Sequence, residues 1–148
     1  MNDKYNTVVI GGGLAGLIST YLLAKSGHEV LLVEKKHYPF HRVCGEYLSN
    51  EVRDFLEREN LLPDQFRLPV ITSFLFSDTT GKSVTTPLDL GGFGVSRYVL
   101  DDHIYHKVLE KGGAVQTGVQ VDTVDFDEKE NFFRIELTDG TEIKSDNV

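Results

Sequence analysis

The run from Thr7 to Glu34, TVVIGGGLAGLISTYLLAKSGHEVLLVE, reads as a strand, a glycine turn, a helix and a second strand that ends in an acid. Thr7 to Ile10 is β-branched, Gly11, Gly13 and Gly16 give a Gly-x-Gly-x-x-Gly spacing, and Glu34 closes the apolar stretch Val30 to Val33. This order of parts is that of a dinucleotide-binding βαβ unit. Gly11 allows a tight turn out of the strand, Gly13 lets backbone approach a pyrophosphate, and Gly16 permits close packing of helix on strand. The phosphates are then expected on a helix N-terminus, whose N–H groups and dipole favour an anion. The Glu34 carboxylate is suited to the hydroxyls of an adenosine ribose and would repel a 2′-phosphate. With 14 glycines among 148 residues the spacing alone is a weak signal, but strand, helix and acid arrive together, which is the context the motif requires.

Competing readings of this stretch fail on length and punctuation. Val8 to Ala24 carries no charge and contains Gly12-x-x-x-Gly16, yet a spanning helix needs about 20 apolar residues, and Gly11 to Gly13 break the run near its start. The opening MNDKYN lacks the basic character of a secretory leader. A net charge of −8 argues for solubility and against a nucleic-acid surface. The lone cysteine, Cys44, excludes an internal disulfide and fits a cytoplasmic setting. A chain this long can remove ~70% of its unfolded surface from water, so one domain over 1–148 is expected.

Helix one is predicted from about Leu14 to Ser26 with Gly27 as its C-cap, and His37 to Gly45 as a loop. A second helix is expected from Ser49 or Asn50 to near Asn60, and short strands at Val70 to Ser77, Lys82 to Thr86 and Phe93 to Val95. A third helix follows from about Tyr98 to Lys111, with Val99, Leu100, His103, Ile104, Val108 and Leu109 on its buried face and Gly112-Gly113 at its stop. Asp101 and Asp102 are expected in its first turn, where negative charge favours the dipole. Strands near Ala114 to Thr117, Val119 to Phe126, Phe132 to Thr138 and Thr141 to Val148 complete the chain, with Asp139-Gly140 as a hairpin turn of the primed type. The fold class is thus α/β: a Rossmann-like FAD/NAD(P)-binding domain with a parallel central sheet and an antiparallel β-meander. Parallel strands need a crossover, which the third helix and Ala114 to Thr117 would supply. Ala114 to Val148 would leave a free strand edge, inviting self-association.

The start resembles the flavin-binding domain of glutathione-reductase-type flavoproteins. HRVCGEYLSNEV, from His41 to Val52, is similar to the Arg-x-Cys-Gly-Glu-x-Leu-Ser segment of flavoenzymes with the p-hydroxybenzoate hydroxylase fold, especially the geranylgeranyl reductase-like branch. SRYVLDDHIYHKVLEKGGAV, from Ser96 to Val115, resembles that group's Arg-x-x-Leu-Asp motif, helix and Gly-Ala turn. Together these segments cover nearly the whole chain in order. The resemblance implies an FAD-dependent oxidoreductase, either a reductase or an aromatic hydroxylase, with NAD(P)H as a possible electron donor. Its substrate would be a small apolar, isoprenoid or aromatic molecule. It further implies an N-terminal fragment, truncated before the substrate domain, because the chain stops where a Gly-Ala-Asp-Gly-type turn would begin.

By resemblance Gly11, Gly13, Leu14, Ala15 and Gly16 surround the pyrophosphate, and Glu34 with Lys35 lies at the adenosine ribose. Arg42 would reach the pyrophosphate or ribityl region, where a guanidinium donates bidentate bonds to phosphate oxygens. Cys44 and Gly45 would pass near the flavin ring, Arg97 would approach the cofactor from the third helix, and Val121 would read the adenine edge through its backbone. Taken without the motif, Arg42 and Arg97 are ordinary surface cations. Nothing marks Cys44 as redox-active, and no catalytic residue is assigned. His103 and His106 stand three apart with no carboxylate or thiol pattern to complete a metal site. The alternative function is a stand-alone module that holds NAD or ADP without turnover. Arg42-Val43-Cys44-Gly45-Glu46 separates the two, since a plain NAD module has no need of that loop.

Overall fold

The computed structural model describes residues 4–63 and 68–148 and divides the chain into two compact units, residues 1–40 with 101–148 and residues 41–100. The first unit holds a six-stranded sheet built from β1 (Lys4–Ile10), β2 (Val30–Glu34), β6 (Ala114–Thr117), β7 (Val121–Asp127), β8 (Phe132–Leu137) and β9 (Glu142–Asn147), in the order β6-β2-β1-β9-β8-β7. Pairs β1–β2, β2–β6 and β1–β9 are parallel, while β7–β8 and β8–β9 are antiparallel. The expected class of parallel sheet plus antiparallel meander is therefore observed.

β2 is buried at all five positions, the signature of a parallel strand covered on both faces. Its alternate residues Leu31 and Val33 join Tyr5, Val8, Val119, Ile135, Leu137 and Ile143 in one apolar core. The last strand, β9, is not an edge. It lies between β1 and β8, with Ile143 and Ser145 buried, so among the described residues the edges of this sheet are β6 and β7.

α1 (Leu14–Lys25) follows β1 directly. Its end is a Schellman motif: Gly27 takes φ +85°, its N–H donates to the Ala24 carbonyl and that of His28 to the Leu23 carbonyl. α3 (Arg97–Glu110) closes the same way, through Gly112 at φ +82° with the Gly113 N–H donating to the Val108 carbonyl. α3 begins at Arg97, one residue earlier than predicted. Asp101 and Asp102 therefore fall in its second turn, and the dipole-capping role expected of them is withdrawn. Leu100, Ile104 and Val108 are fully buried, His106 is exposed, and Leu109, expected on the buried face, is exposed as well.

The second unit carries a three-stranded antiparallel sheet, β3 (Tyr47–Ser49), β5 (Ser83–Gly94) and β4 (Val70–Ser77), in the order β3-β5-β4. The predicted second helix is shorter than its pattern. Ser49 ends β3 and accepts from the Glu51 N–H ahead of a 3-10 turn, Asn50–Val52, so α2 proper is only Arg53–Arg58. Asn60, at φ +55°, terminates it with the Leu61 N–H on the Leu56 carbonyl. The two strands predicted at Lys82 to Thr86 and Phe93 to Val95 are one strand, β5. Its register on β4 jumps from Ser73–Pro87 to Ile71–Gly92, and Pro87, which lacks the N–H a ladder needs, stands where the irregularity begins.

Candidate nucleotide-binding site

β1 ends at Ile10 and the chain turns through Gly11, at φ +97°, into α1. Gly16 is the contact point of helix and turn, because a Cβ there would meet the Gly11 carbonyl oxygen. Gly13 occupies the N-cap in an extended conformation, its carbonyl accepting the Leu17 N–H at 2.9 Å. It makes no side-chain cap, the first turn contains no acid, and a Cβ placed on Gly13 would meet nothing within 4 Å. The helix N-terminus thus opens onto free space at Gly13, the geometry an anion requires. Leu14 and Ala15 form the first turn behind it.

Glu34, at the C-terminal end of β2, is 5% exposed. Its Oε2 accepts the buried Gly12 N–H at 2.8 Å and its Oε1 the Lys36 N–H at 3.0 Å. The acid predicted to face a ribose therefore also fastens the glycine turn to β2. A carboxylate offers about four acceptor positions, so the two roles are compatible. Beyond it a cleft of about 300 Å³ is lined by Ile10, Gly11, Val33, Glu34, Lys35, Val119, Gln120 and Val121. It lies at the carboxyl ends of parallel strands, where open α/β sheets bind ligands, and its volume is at the lower end of the range for small-molecule sites.

Among the sequence-predicted residues, the structure gathers Gly11, Glu34, Lys35 and Val121 around this cleft and sets Gly13, Leu14, Ala15 and Gly16 at the adjoining helix start. Arg42, Cys44, Gly45 and Arg97 lie in the second unit. There Cys44 is exposed, its sulfur accepting the Glu46 N–H at 3.4 Å. The His41 ring stacks on Tyr98 with centroids 4.6 Å apart, tying the loop that bears Arg42 to the first turn of α3, which begins at Arg97.

Sequence reasoning missed the walls of the cleft and its most closely engaged neighbour. Val119, Gln120 and Val33 were read only as parts of strands, and only the pairing of distant strands makes them lining. Tyr38 donates its hydroxyl to the Gly12 carbonyl at 2.5 Å and stacks on Tyr105, with centroids 4.8 Å apart. The one available signal was the third glycine, Gly12, at a position the dinucleotide spacing leaves open. No helix among the described residues is long and apolar enough to cross a membrane.

Residues 9–66 match the model of the NAD(P)-binding Rossmann-like domain, and the mostly parallel central sheet with its βαβ start has a Rossmann-like fold. The particular relatives include a phospholipid reductase, a flavin-dependent halogenase and a monooxygenase. The digeranylgeranylglycerophospholipid reductase of Methanocaldococcus jannaschii is 30% identical over 78% of this chain and 29% of its own length. The flavin-dependent halogenase armH1 of Armillaria mellea is 30% identical over 95% of the chain and 28% of its own. The p-nitrophenol 4-monooxygenase PnpA of Pseudomonas putida superposes with a TM-score of 0.81 at 18% identity, over 99% of this chain and 40% of that one. The chain therefore spans less than a third of the length of these two curated relatives. The reductase and the halogenase agree with the resemblance read from the motifs, and the monooxygenase shares the fold.

Proposed function

We propose that this chain is the FAD-binding portion of an FAD-dependent oxidoreductase. The observation that carries the reading is the cleft at the ends of β1 and β2, with the Glu34 carboxylate in its lining and the open N-terminus of α1 beside it. In this reading the adenosine of FAD occupies the cleft, its ribose on Glu34 and Lys35 and its adenine along the backbone of Val121. The pyrophosphate meets the N–H groups around Gly13, Leu14 and Ala15. Arg42, Cys44, Gly45 and Arg97 serve the ribityl and ring side. Bound FAD would supply hydride or oxygen chemistry that side chains lack; this chain's residues bind the nucleotide and orient it.

The substrate is a small apolar molecule, isoprenoid or aromatic, and NAD(P)H is the electron donor. The isoprenoid class is favoured by the archaeal reductase and the Arg42-Val43-Cys44-Gly45-Glu46 segment together. A cytoplasmic setting suits an exposed, unpaired Cys44. The match to an NAD(P)-binding domain model favours one second reading, a module that holds NAD or ADP without turnover. An absorbance spectrum of the purified chain mixed with FAD and freed of excess separates the two. A retained yellow flavin supports the first, and no flavin with retained NAD supports the second.

A further inference from the structure

We infer that Tyr38 is a positioning residue that sets the anion-binding face of the glycine turn without touching the ligand; the inference rests on the nucleotide reading above. Both polar groups of the buried Gly12 are held. Its N–H donates to Glu34 at 2.8 Å and its carbonyl accepts the Tyr38 hydroxyl at 2.5 Å. The Tyr38 ring is itself fixed, stacked on Tyr105 at an interplanar angle of 18° and tilted against Phe40 with centroids 5.4 Å apart. The hydroxyl is therefore aimed by packing, not by a mobile side chain.

The consequence falls on the next residue. In a planar trans peptide the C=O and the following N–H point in opposite directions. Drawing the Gly12 carbonyl onto Tyr38 turns the Gly13 N–H away from it, and Gly13 is the position whose surroundings are open. This also accounts for Gly12, which the dinucleotide spacing does not demand. A Cβ there would collide with the Tyr38 hydroxyl and lie 3.0 Å from the Glu34 Cβ. Glycine at 12 and tyrosine at 38 form one device, and the ligand it serves is the diphosphate of a nucleotide.

Tyr38→Phe keeps the ring and its stacking and removes only the hydroxyl. The expected result is ADP binding weakened about three- to tenfold, the effect of one hydrogen bond, with adenosine binding unchanged and the melting temperature lowered modestly, because the buried Gly12 carbonyl loses this donor. Independently of any ligand, the amide resonances of Gly12 and Gly13 should move in the 15N–1H spectrum. ADP and adenosine weakened equally, or neither weakened, overturns the role, as do unmoved amides. Wild-type protein that binds neither ADP nor FAD overturns the nucleotide reading itself, and the amide shifts then still decide whether Tyr38 sets the turn.

Discussion

At the scale of residues, the glycines of one turn are distinguished by what a methyl group would meet. Gly13 faces open space at φ −75°, a conformation any residue adopts, so Gly13→Ala should melt with the wild type yet lose ADP affinity because the methyl occupies the phosphate's approach. Gly16→Ala drives a Cβ onto the Gly11 carbonyl oxygen and should cost about 1–3 kcal/mol of stability, the usual range for overpacking; denaturant unfolding reads it. Glu34→Ala removes the acceptor of two backbone N–H groups, one of them buried. It should lower stability as well as weaken FAD or ADP binding by about 1–3 kcal/mol. Unchanged affinity in that variant would remove the ribose assignment. The spacing of Gly11, Gly13, Gly16 and Glu34 was legible in the sequence because each answers to a local backbone rule. Tyr38 was not, because its partner Gly12 is 26 residues away and nothing in the intervening run announces the return.

At the scale of elements, the same division recurs. α1 and α3 were readable from apolar spacing and glycine stops, and β2 from its unbroken apolar run. The continuity of β5 was hidden because Pro87 and two glycines imitate a loop while β4 pairs with the stretches on either side. The β8–β9 hairpin was placed correctly with the wrong turn. A type I′ turn needs positive φ at both central residues, and here Gly140 alone has it, at +84°, with the Thr141 N–H donating to Asp139 Oδ1 at 2.9 Å. That backbone bond from Thr141 is the main cause holding the Asp139 carboxyl below its ordinary range. A depressed native value gives a contribution that is full above the ordinary aspartate pKa of about 4 and is lost as pH falls through the lowered value. Thr141 amide protection, corrected for intrinsic exchange, should therefore fall under acid conditions and hold steady above them. The free edges differ too. β7 carries Asp122, Asp125 and Asp127, charges that discourage pairing, whereas β4 has none in eight residues and exposes Phe74, Leu75 and Phe76. Self-association is thus expected at β4, where an uncharged strand pairs with its own copy without repulsion. Phe76→Lys should reduce it in sedimentation velocity.

At the scale of the whole molecule, the cleft draws on three separated stretches: the end of β1, the end of β2 with Lys35, and the approach to β7. The sheet brings them together by setting β6 and β9 on opposite sides of the β1–β2 pair. The sequence displayed the first two as a motif. The third became visible only through strand order, which pairwise hydrogen bonding decides and periodicity does not. With a net charge of −8 the surface gives an anionic nucleotide no general attraction, so affinity must come from the local donors of the turn and helix start. The most direct measurement is a titration of the isotope-labelled chain with ADP, followed by 15N–1H correlation spectra. The account predicts saturable shifts concentrated at Gly11, Gly12, Gly13, Lys35 and Val121, with β4 and the β7–β8 turn unmoved. Spectra that stay unchanged at high ADP, or shifts confined to residues outside this cleft, would contradict it.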